Sequence, residues 1–375
     1  MSQESPAGQA ERVRAALARV IDPELRRPIT ELGMVERVEV TGTRATVDVL
    51  LTVAGCPLKD TIEADVRREL AGVPGVDGVE VNLGVMTSEA RRALVDSLKR
   101  HVVPFTQPDS LTRVIAIASG KGGVGKSSLT VNLAAALAER GLSVGIIDAD
   151  VLGFSVPGLM GLSGASPTRV DELIVPPVAH GVKVMSIGMF LADNAPVMWR
   201  GPMLHRALEQ FVSEVHFGDL DVLLLDLPPG TGDVAISVSQ LLPGTQQIVV
   251  TTPQHAAAEV AERAGSMALS TGQSVLGVVE NMSWMDLPDG SRLTPFGEGG
   301  GREVASRLSA AAGTEVPLLA RLPLDPSLRE GGDDGVPVVL GAPDSPAGLA
   351  LRELAGRIAV QPRGLAGRSL GISPR

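Results

Sequence analysis

A glycine-rich segment at positions 120–127 constrains the fold more than any other part of the chain. Its letters, GKGGVGKS, fit the pattern G-x-x-x-x-G-K-[ST]. A short run of apolar, mostly β-branched residues precedes it at 113–119, and a run rich in Ala and Leu follows at 128–140. We therefore predict a buried strand, a loop whose backbone N–H groups surround phosphate oxygens, and a helix whose positive end adds to the attraction.

The same pattern assigns roles to the last two residues of the segment. Lys126 is expected to contact the β- and γ-phosphates of a nucleotide, and the hydroxyl of Ser127 to bind Mg²⁺. A glycine-rich turn without a ligand is the alternative. The pattern lies between a strand and a helix, which is the context it requires, so we predict a nucleotide site.

Carboxylates follow two further apolar runs. The run at 144–147 leads into Asp148 and Asp150, and the run at 220–225 leads into Asp226. Ligands of open α/β sheets bind outside the carboxyl ends of the strands. A lone Asp at a strand end is often only a turn or cap residue. Carboxylates at two strand ends of a chain with one phosphate loop favour a shared site.

The pattern of apolar residues divides the chain into four parts. They are a small α+β domain at 1–84, a helix and linker at 85–109, an α/β domain at 110–360 and a mobile tail at 361–375. In the first part, helices are predicted at 7–20 and 58–70 and strands at 35–40, 44–53 and 76–83. A charged helix is predicted at 88–101. Strands and helices then alternate, which is typical of a doubly wound, mainly parallel sheet.

Composition and charge restrict the partners. Apolar residues make up 44% of the 375 positions, enough for a sizeable core, and the net charge of −10 argues against nonspecific nucleic-acid binding. No apolar run reaches the roughly 18 residues of a membrane span, and the N-terminus is unlike a signal peptide. We expect a cytoplasmic protein that binds no membrane. Cys56 is the single cysteine, which excludes an intrachain disulfide.

The lysine at position 121 narrows the class of nucleotide site. The segment K-G-G-x-G-K-[ST] resembles the deviant phosphate loop of the family that includes the septum-site ATPase MinD, the partition ATPase ParA, the arsenite-pump ATPase and nitrogenase iron protein. In that family the extra lysine reaches the nucleotide of the other subunit. The resemblance implies a homodimer with ATP between its subunits and a catalytic role for Lys121, with a solvated loop lysine as the alternative.

Three longer segments resemble the Mrp/ApbC iron–sulfur cluster carriers more than the partition ATPases. They are DADVLGFSVP at 148–157, DLPPGTGD at 226–233 and VENMS at 279–283. Two N-terminal segments, IDPEL at 21–25 and LTVAGCP at 51–57, resemble the PaaD/SufT-like domain of iron–sulfur assembly. The resemblance covers nearly the whole chain. It implies an ATP-hydrolysing carrier that transfers iron–sulfur clusters to client apoproteins.

The resemblance also implies roles for individual residues. Asp150 matches the residue that orients the attacking water, and Asp226 matches the carboxylate that holds Mg²⁺ through a water. Asn281 matches the position that reads adenine, although an Asn in a turn needs no ligand. Contacts with ATP are expected from Gly120, Lys121, Gly122, Gly123, Val124, Gly125, Lys126, Ser127, Ser128 and Asn281. Contacts with Mg²⁺ are expected from Ser127, Asp150 and Asp226, and catalytic roles from Lys121, Lys126 and Asp150.

One departure from the carriers concerns the cluster. The carriers have a Cys-x-x-Cys pair a few residues after Asn-Met-Ser, where this chain has Leu287 and Gly290. Leu cannot ligate iron, and Asp289 followed by glycine is typical of a hairpin turn. Cys56 is then the only thiolate, whereas a [4Fe–4S] cluster takes four Cys ligands. We expect this chain to hold an iron–sulfur cluster through Cys56 only weakly, or with ligands from outside the chain. A small buried residue is the other interpretation of this cysteine.

Two other functions stay open from the sequence. A dimeric positioning or scaffold ATPase of the MinD/ParA type, without metal handling, would explain the missing cysteine pair. The absence of a basic face argues against this function, and so does the presence of the N-terminal domain. A metal-independent, ATP-driven chaperone would use Cys56 only incidentally.

Overall fold

The computed structural model describes residues 6–25, 27–53, 58–98, 103–107, 110–150, 153–171, 173–190 and 201–360. Cys56, the predicted tail and part of the predicted linker lie outside these ranges. The chain divides into two compact units. Unit one comprises Met1–Arg100, Pro167–Pro176 and Glu214–Gly218, and unit two comprises His101–Ser166, Pro177–Ser213 and Asp219–Arg375.

The strands and helices of the described residues are numbered in chain order. The strands are β1 Val35–Thr41, β2 Arg44–Leu51, β3 Gly78–Val85, β4 Arg113–Ser119, β5 Val144–Asp148, β6 Thr168–Val170, β7 Leu173–Val175, β8 Val178–Ala179, β9 Val182–Ser186, β10 Val222–Asp226, β11 Gln246–Thr251, β12 Ser274–Glu280, β13 Met285–Asp286, β14 Arg292–Leu293 and β15 Leu318–Arg321. The α-helices are α1 Pro6–Leu17, α2 Lys59–Ala71, α3 Ser88–Leu98, α4 Lys126–Glu139, α5 Val156–Leu159, α6 Gly201–Ser213, α7 Asp233–Leu241, α8 His255–Ser270, α9 Gly300–Ala312, α10 Pro326–Asp333, α11 Val338–Gly341 and α12 Pro346–Ala359. Short 3₁₀ turns lie at Pro104–Thr106 and Ile187–Phe190.

Unit one contains a three-stranded sheet with the order β1-β2-β3. β1 and β2 form an antiparallel hairpin, and β3 pairs with β2 in parallel. Alternate residues of β2, among them Val47 and Val49, are buried in one core with Ile62 and Val66 of α2. The predicted order of helix, strand, strand, helix and strand is confirmed for 1–84.

Two segments from the middle of the chain also belong to unit one. The β6–β7 hairpin supplies Val170, Leu173 and Val175 to the same core. Ile174 forms a bridge with Val215, which follows α6. Both segments lie inside the range predicted as the α/β domain, and the predicted domain boundaries themselves stay a prediction.

Unit two is built on an eight-stranded sheet with the order β15-β12-β11-β4-β10-β5-β9-β8. All neighbours pair in parallel except β8, which pairs antiparallel with β9 at the edge. Every residue of β4, β5 and β10 is buried. Burial of whole strands is typical of parallel sheets that are covered on both faces, so the predicted doubly wound fold is confirmed.

The helix after the phosphate loop begins earlier than its apolar run suggests. α4 starts at Lys126 rather than at 128, because Gly125 takes a left-handed conformation (φ +84°) that turns the chain directly into the helix. Lys126 and Ser127 therefore lie in the first turn of α4.

Candidate nucleotide-binding site

The register of the sheet brings the predicted site residues together at the carboxyl ends of the central strands. Asp226, the last residue of β10, is paired with Asp148 at the end of β5 and with Ile117 near the end of β4. The phosphate loop leaves β4 two residues later. The strand-end carboxylates and the loop therefore meet, as the sequence indicated.

The backbone of the loop is held from both sides. A side chain at Gly120 would bring its Cβ to 2.2 Å from the carbonyl carbon of Val260 in α8, so the loop packs directly on that helix. The Oγ of Ser119 donates to the carbonyl of Lys121 at 3.0 Å. The backbone N–H of Gly230, in the segment after β10, donates to the carbonyl of Ser119 at 2.8 Å. A backbone hydrogen bond thus links the start of the phosphate loop to the segment 226–233.

Lys126 and Asp226 form the centre of the site. The Nζ of Lys126 lies 2.8 Å from Oδ1 of Asp226, and both side chains are buried. Ser127 donates from Oγ to Oδ2 of the same carboxylate at 2.5 Å, and Thr130 donates to Oδ1 at 2.9 Å. Three donors thus compensate the burial of this charge, as buried carboxylates require.

Asp150 lies close to Lys126. Its Oδ2 is 3.9 Å from the Nζ of Lys126, and its Oδ1 accepts a hydrogen bond from the backbone N–H of Gly153 at 3.1 Å. The bond to Gly153 fixes the orientation of the carboxylate.

Asp148 anchors the segment that carries Asp150. Its Oδ1 accepts from the backbone N–H of Asp150, and its Oδ2 accepts from Oγ of Ser186 and from the backbone N–H of Val156. Burial, followed by the nearby charge of Asp226, raises the pKa of Asp148 to about 7, although the hydrogen bonds from Asp150 and Ser186 and the charge of Lys126 act in the opposite direction.

Lys121 projects from the exposed side of the loop. Its Nζ donates to Oε1 of Gln254 at 3.2 Å, and Thr252 donates to the same oxygen at 2.8 Å. Gln254 directly precedes the first residue of α8, so the ammonium of Lys121 is held within its own chain.

Asn281 reaches the phosphate loop from the end of β12. Its Nδ2 donates to the carbonyl oxygen of Val124 at 2.9 Å, and only 3% of the residue is exposed. Its Oδ1 is buried without a hydrogen-bond partner among the described residues. The adenine contact expected for this residue is not tested by these distances and stays a prediction.

A cavity of about 520 Å³ lies at the phosphate loop. It is lined by the loop from Lys121 to Ser128 together with Ser119, Asp150, Gly153, Ser155, Pro228 and Pro229. The donor set suits Mg²⁺, because this ion prefers oxygen ligands and usually combines one or two carboxylates with waters and substrate phosphates. Ser127 and Asp226 offer a hydroxyl and a carboxylate side by side.

The segment that replaces the cysteine pair forms a small hairpin. β13 and β14 pair antiparallel, with Gly290 in the left-handed region at φ +81°, so the predicted turn is confirmed. Asp286 and Arg292 form an ion pair across it at 2.8 Å, and the Arg292 guanidinium lies 4.7 Å from the ring centre of Trp284. Within the described residues, no group of three or more His, Cys, Asp and Glu side chains could hold a metal ion.

Three contributors to the site were not found from the sequence. Thr130 lies four residues after Lys126, so helical spacing alone could have indicated that both face Asp226. Ser186 and Gln254 carry no such signal, because their contacts depend on the order of the strands.

No helix in the described part of the chain is long and apolar enough to span a membrane. The cytoplasmic location stays a prediction.

The pairing of Lys126 and Ser127 with Asp226 at the edge of a doubly wound sheet defines the chain as a P-loop NTPase. A family model described as NUBPL iron-transfer P-loop NTPase matches residues 110–359, and one for iron–sulfur cluster assembly proteins matches residues 10–83. The chain belongs to the NUBPL iron-transfer P-loop NTPase family, and the resemblance to the carriers is confirmed.

Individual relatives support the same family. The iron–sulfur cluster carrier protein of Mycobacterium tuberculosis is 60% identical over 368 residues, which cover 96% of each chain. The protein of that name from Deinococcus radiodurans is 43% identical over 348 residues, covering 92% of this chain and 93% of its own. Among solved structures, a nucleotide-binding protein from Archaeoglobus fulgidus is 36% identical to this chain, with a TM-score of 0.52. That structure is a complex with ADP in which cobalt was found. The match covers 66% of this chain and 91% of that one.

Proposed function

We propose that this chain binds and hydrolyses ATP and carries iron–sulfur clusters to client apoproteins as a cytoplasmic homodimer. The observation that carries the proposal is the contact of Lys126 and Ser127 with Asp226 in a member of an iron-transfer family. This contact forms the phosphate end of a nucleotide site.

ATP binding is assigned to the loop. Its backbone N–H groups and Lys126 would surround the phosphates, and the N-terminus of α4 adds positive potential. Lys126 already lies against a carboxylate, so it is oriented toward the position where anionic oxygens are needed. When bound, Mg²⁺ would be held by Ser127 and Asp226 and would neutralise charge on the phosphates.

Hydrolysis is assigned to Asp150. Its hydrogen bond from Gly153 orients the carboxylate, and its other oxygen lies 3.9 Å from the Lys126 ammonium that would contact the γ-phosphate. A carboxylate there can accept a hydrogen bond from a water and direct the water's lone pair at phosphorus. Lys126 then stabilises charge on the transferring phosphoryl group.

The contact that holds the homodimer together is assigned to Lys121. This lysine is exposed, and among the described residues its ammonium is held by the side-chain amide of Gln254, which it can leave for a stronger anionic partner. A phosphate in a second copy of the chain is such a partner. The family resemblance supports this reach between subunits.

The iron–sulfur cluster is the cargo. A homodimer offers two thiolates, both from Cys56, and a [4Fe–4S] cluster takes four, so the remaining ligands would come from outside the chain. Bound in this way, a cluster is open to exchange with a client. The experiment is transfer from the anaerobically loaded full chain to an apo-ferredoxin, with and without Mg·ATP. Faster transfer with ATP supports the proposal, and no transfer under either condition contradicts it.

A positioning or scaffold ATPase is the second candidate. The hairpin at 285–293 favours it, because an ion pair and an Arg–Trp contact hold this segment where the carriers have cysteines. ATP-dependent sedimentation with liposomes or DNA, without iron binding, would support this candidate.

A further inference from the structure

The side chain of Asn281 links the phosphate loop to a strand that is not its neighbour. The residue follows β12, which is separated from β4 by β11 in the sheet. Its Nδ2 nevertheless lies 2.9 Å from the carbonyl oxygen of Val124 in the middle of the loop. A carbonyl oxygen only accepts hydrogen bonds, so the NH₂ group of the amide must face the loop.

The space around this amide is filled by the loop itself. A Cβ at Gly125 would lie 2.2 Å from Nδ2 of Asn281, so a side chain at this position would displace the amide. Gly125 is also the left-handed residue that directly precedes α4. The same glycine thus permits both the turn into the helix and the approach of Asn281.

The segment that carries Asn281 is itself fixed. The backbone N–H of Asn281 donates to the carbonyl of Thr251 at 2.8 Å, and that of Ser283 donates to Leu322 at 2.8 Å. Met282 between them takes a left-handed conformation (φ +57°), which is unfavourable for a residue with a side chain and needs support from its surroundings. The amide of Asn281 is therefore presented to the loop from a rigid support.

We propose that Asn281 is a positioning residue of the phosphate loop, whose hydrogen bond to the Val124 carbonyl holds the loop in the curvature that binds phosphates. This inference rests on the proposed nucleotide site and deepens it. The carbonyl of Val124 is held on Asn281, so the neighbouring N–H groups of the loop keep one orientation. The buried Oδ1 of the same amide has no partner among the described residues, so it is available to accept a hydrogen bond from a ligand.

A positioning role and a base-reading role differ in their consequences. A residue that only reads the base matters for nucleotides and leaves the loop unchanged. A residue that positions the loop matters for any polyphosphate, and for the loop before a ligand arrives.

The first test is hydrogen exchange of the segment 120–127 in the full chain without nucleotide. Asn281→Ala removes the bond, and Asn281→Asp keeps the shape but sets an oxygen against the Val124 carbonyl. Ser283→Ala is the matched control, since its Oγ bonds to Glu280 and not to the loop. We expect exchange to be at least about fivefold faster in both Asn281 variants and within about twofold of wild type in the control. Unchanged exchange in the Asn281 variants, or equal acceleration in the control, overturns the proposal.

The second test is calorimetry with Mg·ADP, Mg·GDP and Mg·tripolyphosphate. We expect Asn281→Ala to weaken every one of these ligands that the wild type binds, by a similar factor of about ten or more. Weaker ADP binding with unchanged tripolyphosphate binding and unchanged exchange would identify a base reader and overturn the proposal. If the wild type binds no tripolyphosphate, the exchange result decides. A wild type that binds no nucleotide contradicts the proposed function, and the exchange experiment still tests the role of Asn281.

Discussion

The ammonium of Lys126 lies 2.8 Å from Oδ1 of Asp226, and both side chains are buried. Two charges can be buried together only when their geometry is good and further donors are present, and Ser127 and Thr130 supply those donors. Phosphate oxygens would compete with Asp226 for the same ammonium. Nucleotide binding at this site is therefore an exchange of anionic partners around Lys126.

Lys126→Ala should abolish this exchange. We expect the affinity for Mg·ADP to fall by at least about a hundredfold, because a charge-assisted contact to phosphate is lost and Asp226 is left with its negative charge next to the phosphates. Calorimetry on the full chain measures this. Thr130→Ser, which keeps a hydroxyl near Asp226, should bind as the wild type does. Wild-type affinity in Lys126→Ala would show that the site is wrongly assigned.

Asp150→Asn should separate binding from turnover. Asn keeps an oxygen for the N–H of Gly153 but loses the charge that holds the water, so ADP affinity should change little. Turnover of ATP should fall by roughly 10²- to 10⁴-fold, the usual contribution of such a group. Phosphate release measures it, with Asp233→Asn, an exposed carboxylate in the first turn of α7, as the control. Unchanged turnover in Asp150→Asn would remove this residue from the mechanism.

The phosphate loop could be predicted from the sequence because its geometry is local. The positive φ angles of Gly123 and Gly125 and the helix that begins at Lys126 are set within a few residues. The carboxylates at the strand ends followed from the general position of ligands in parallel sheets.

The supporting contacts could not be predicted in the same way. Lys121 and Gln254 are 133 positions apart, and Asn281 and Val124 are 157 apart. These contacts depend on the strand order β12-β11-β4, which no local pattern specifies. That residues 167–176 belong to unit one could not be predicted from the sequence either, because an apolar hairpin can pack on any apolar core.

Lys121→Ala should impair dimerisation that depends on ATP. The lysine binds Gln254 in its own chain and lines the cavity from the exposed side, so its loss should change ADP affinity by no more than about threefold. Light scattering with a nonhydrolysable ATP analogue should detect a dimer for the wild type and a monomer for the variant. Gln254→Leu, which frees the lysine, should still dimerise. A dimer formed equally well by Lys121→Ala would contradict the proposed reach between subunits.

Glu24→Gln should stabilise unit one at neutral pH. Burial, and next the charge of Asp22, raise the pKa of Glu24 above its ordinary value of 4.5, although the hydrogen bond from Thr168 lowers it. The folded chain therefore binds this proton more tightly than the unfolded chain. The contribution of Glu24 to stability is largest below pH 4.5 and is lost as the pH rises through the raised pKa.

Urea unfolding at several pH values tests this difference. Gln resembles the protonated carboxyl and can still accept from Thr168. The variant should exceed the wild type in stability at pH 7.5 and match it near pH 4. Glu80→Gln, at an exposed position of β3, should show no such trend. A constant difference across this range would contradict the assignment.

The most direct test of the proposed carrier function is the iron content and visible absorption of the full chain, for the wild type and for Cys56→Ala, after anaerobic reconstitution with iron, sulfide and a small thiol that can supply the ligands from outside the chain. We expect iron and a charge-transfer band in the wild type and the loss of both in the variant, because Cys56 is the only thiolate of the chain. Absence of iron from both proteins, or equal iron in both, would contradict a cluster carrier that works through Cys56.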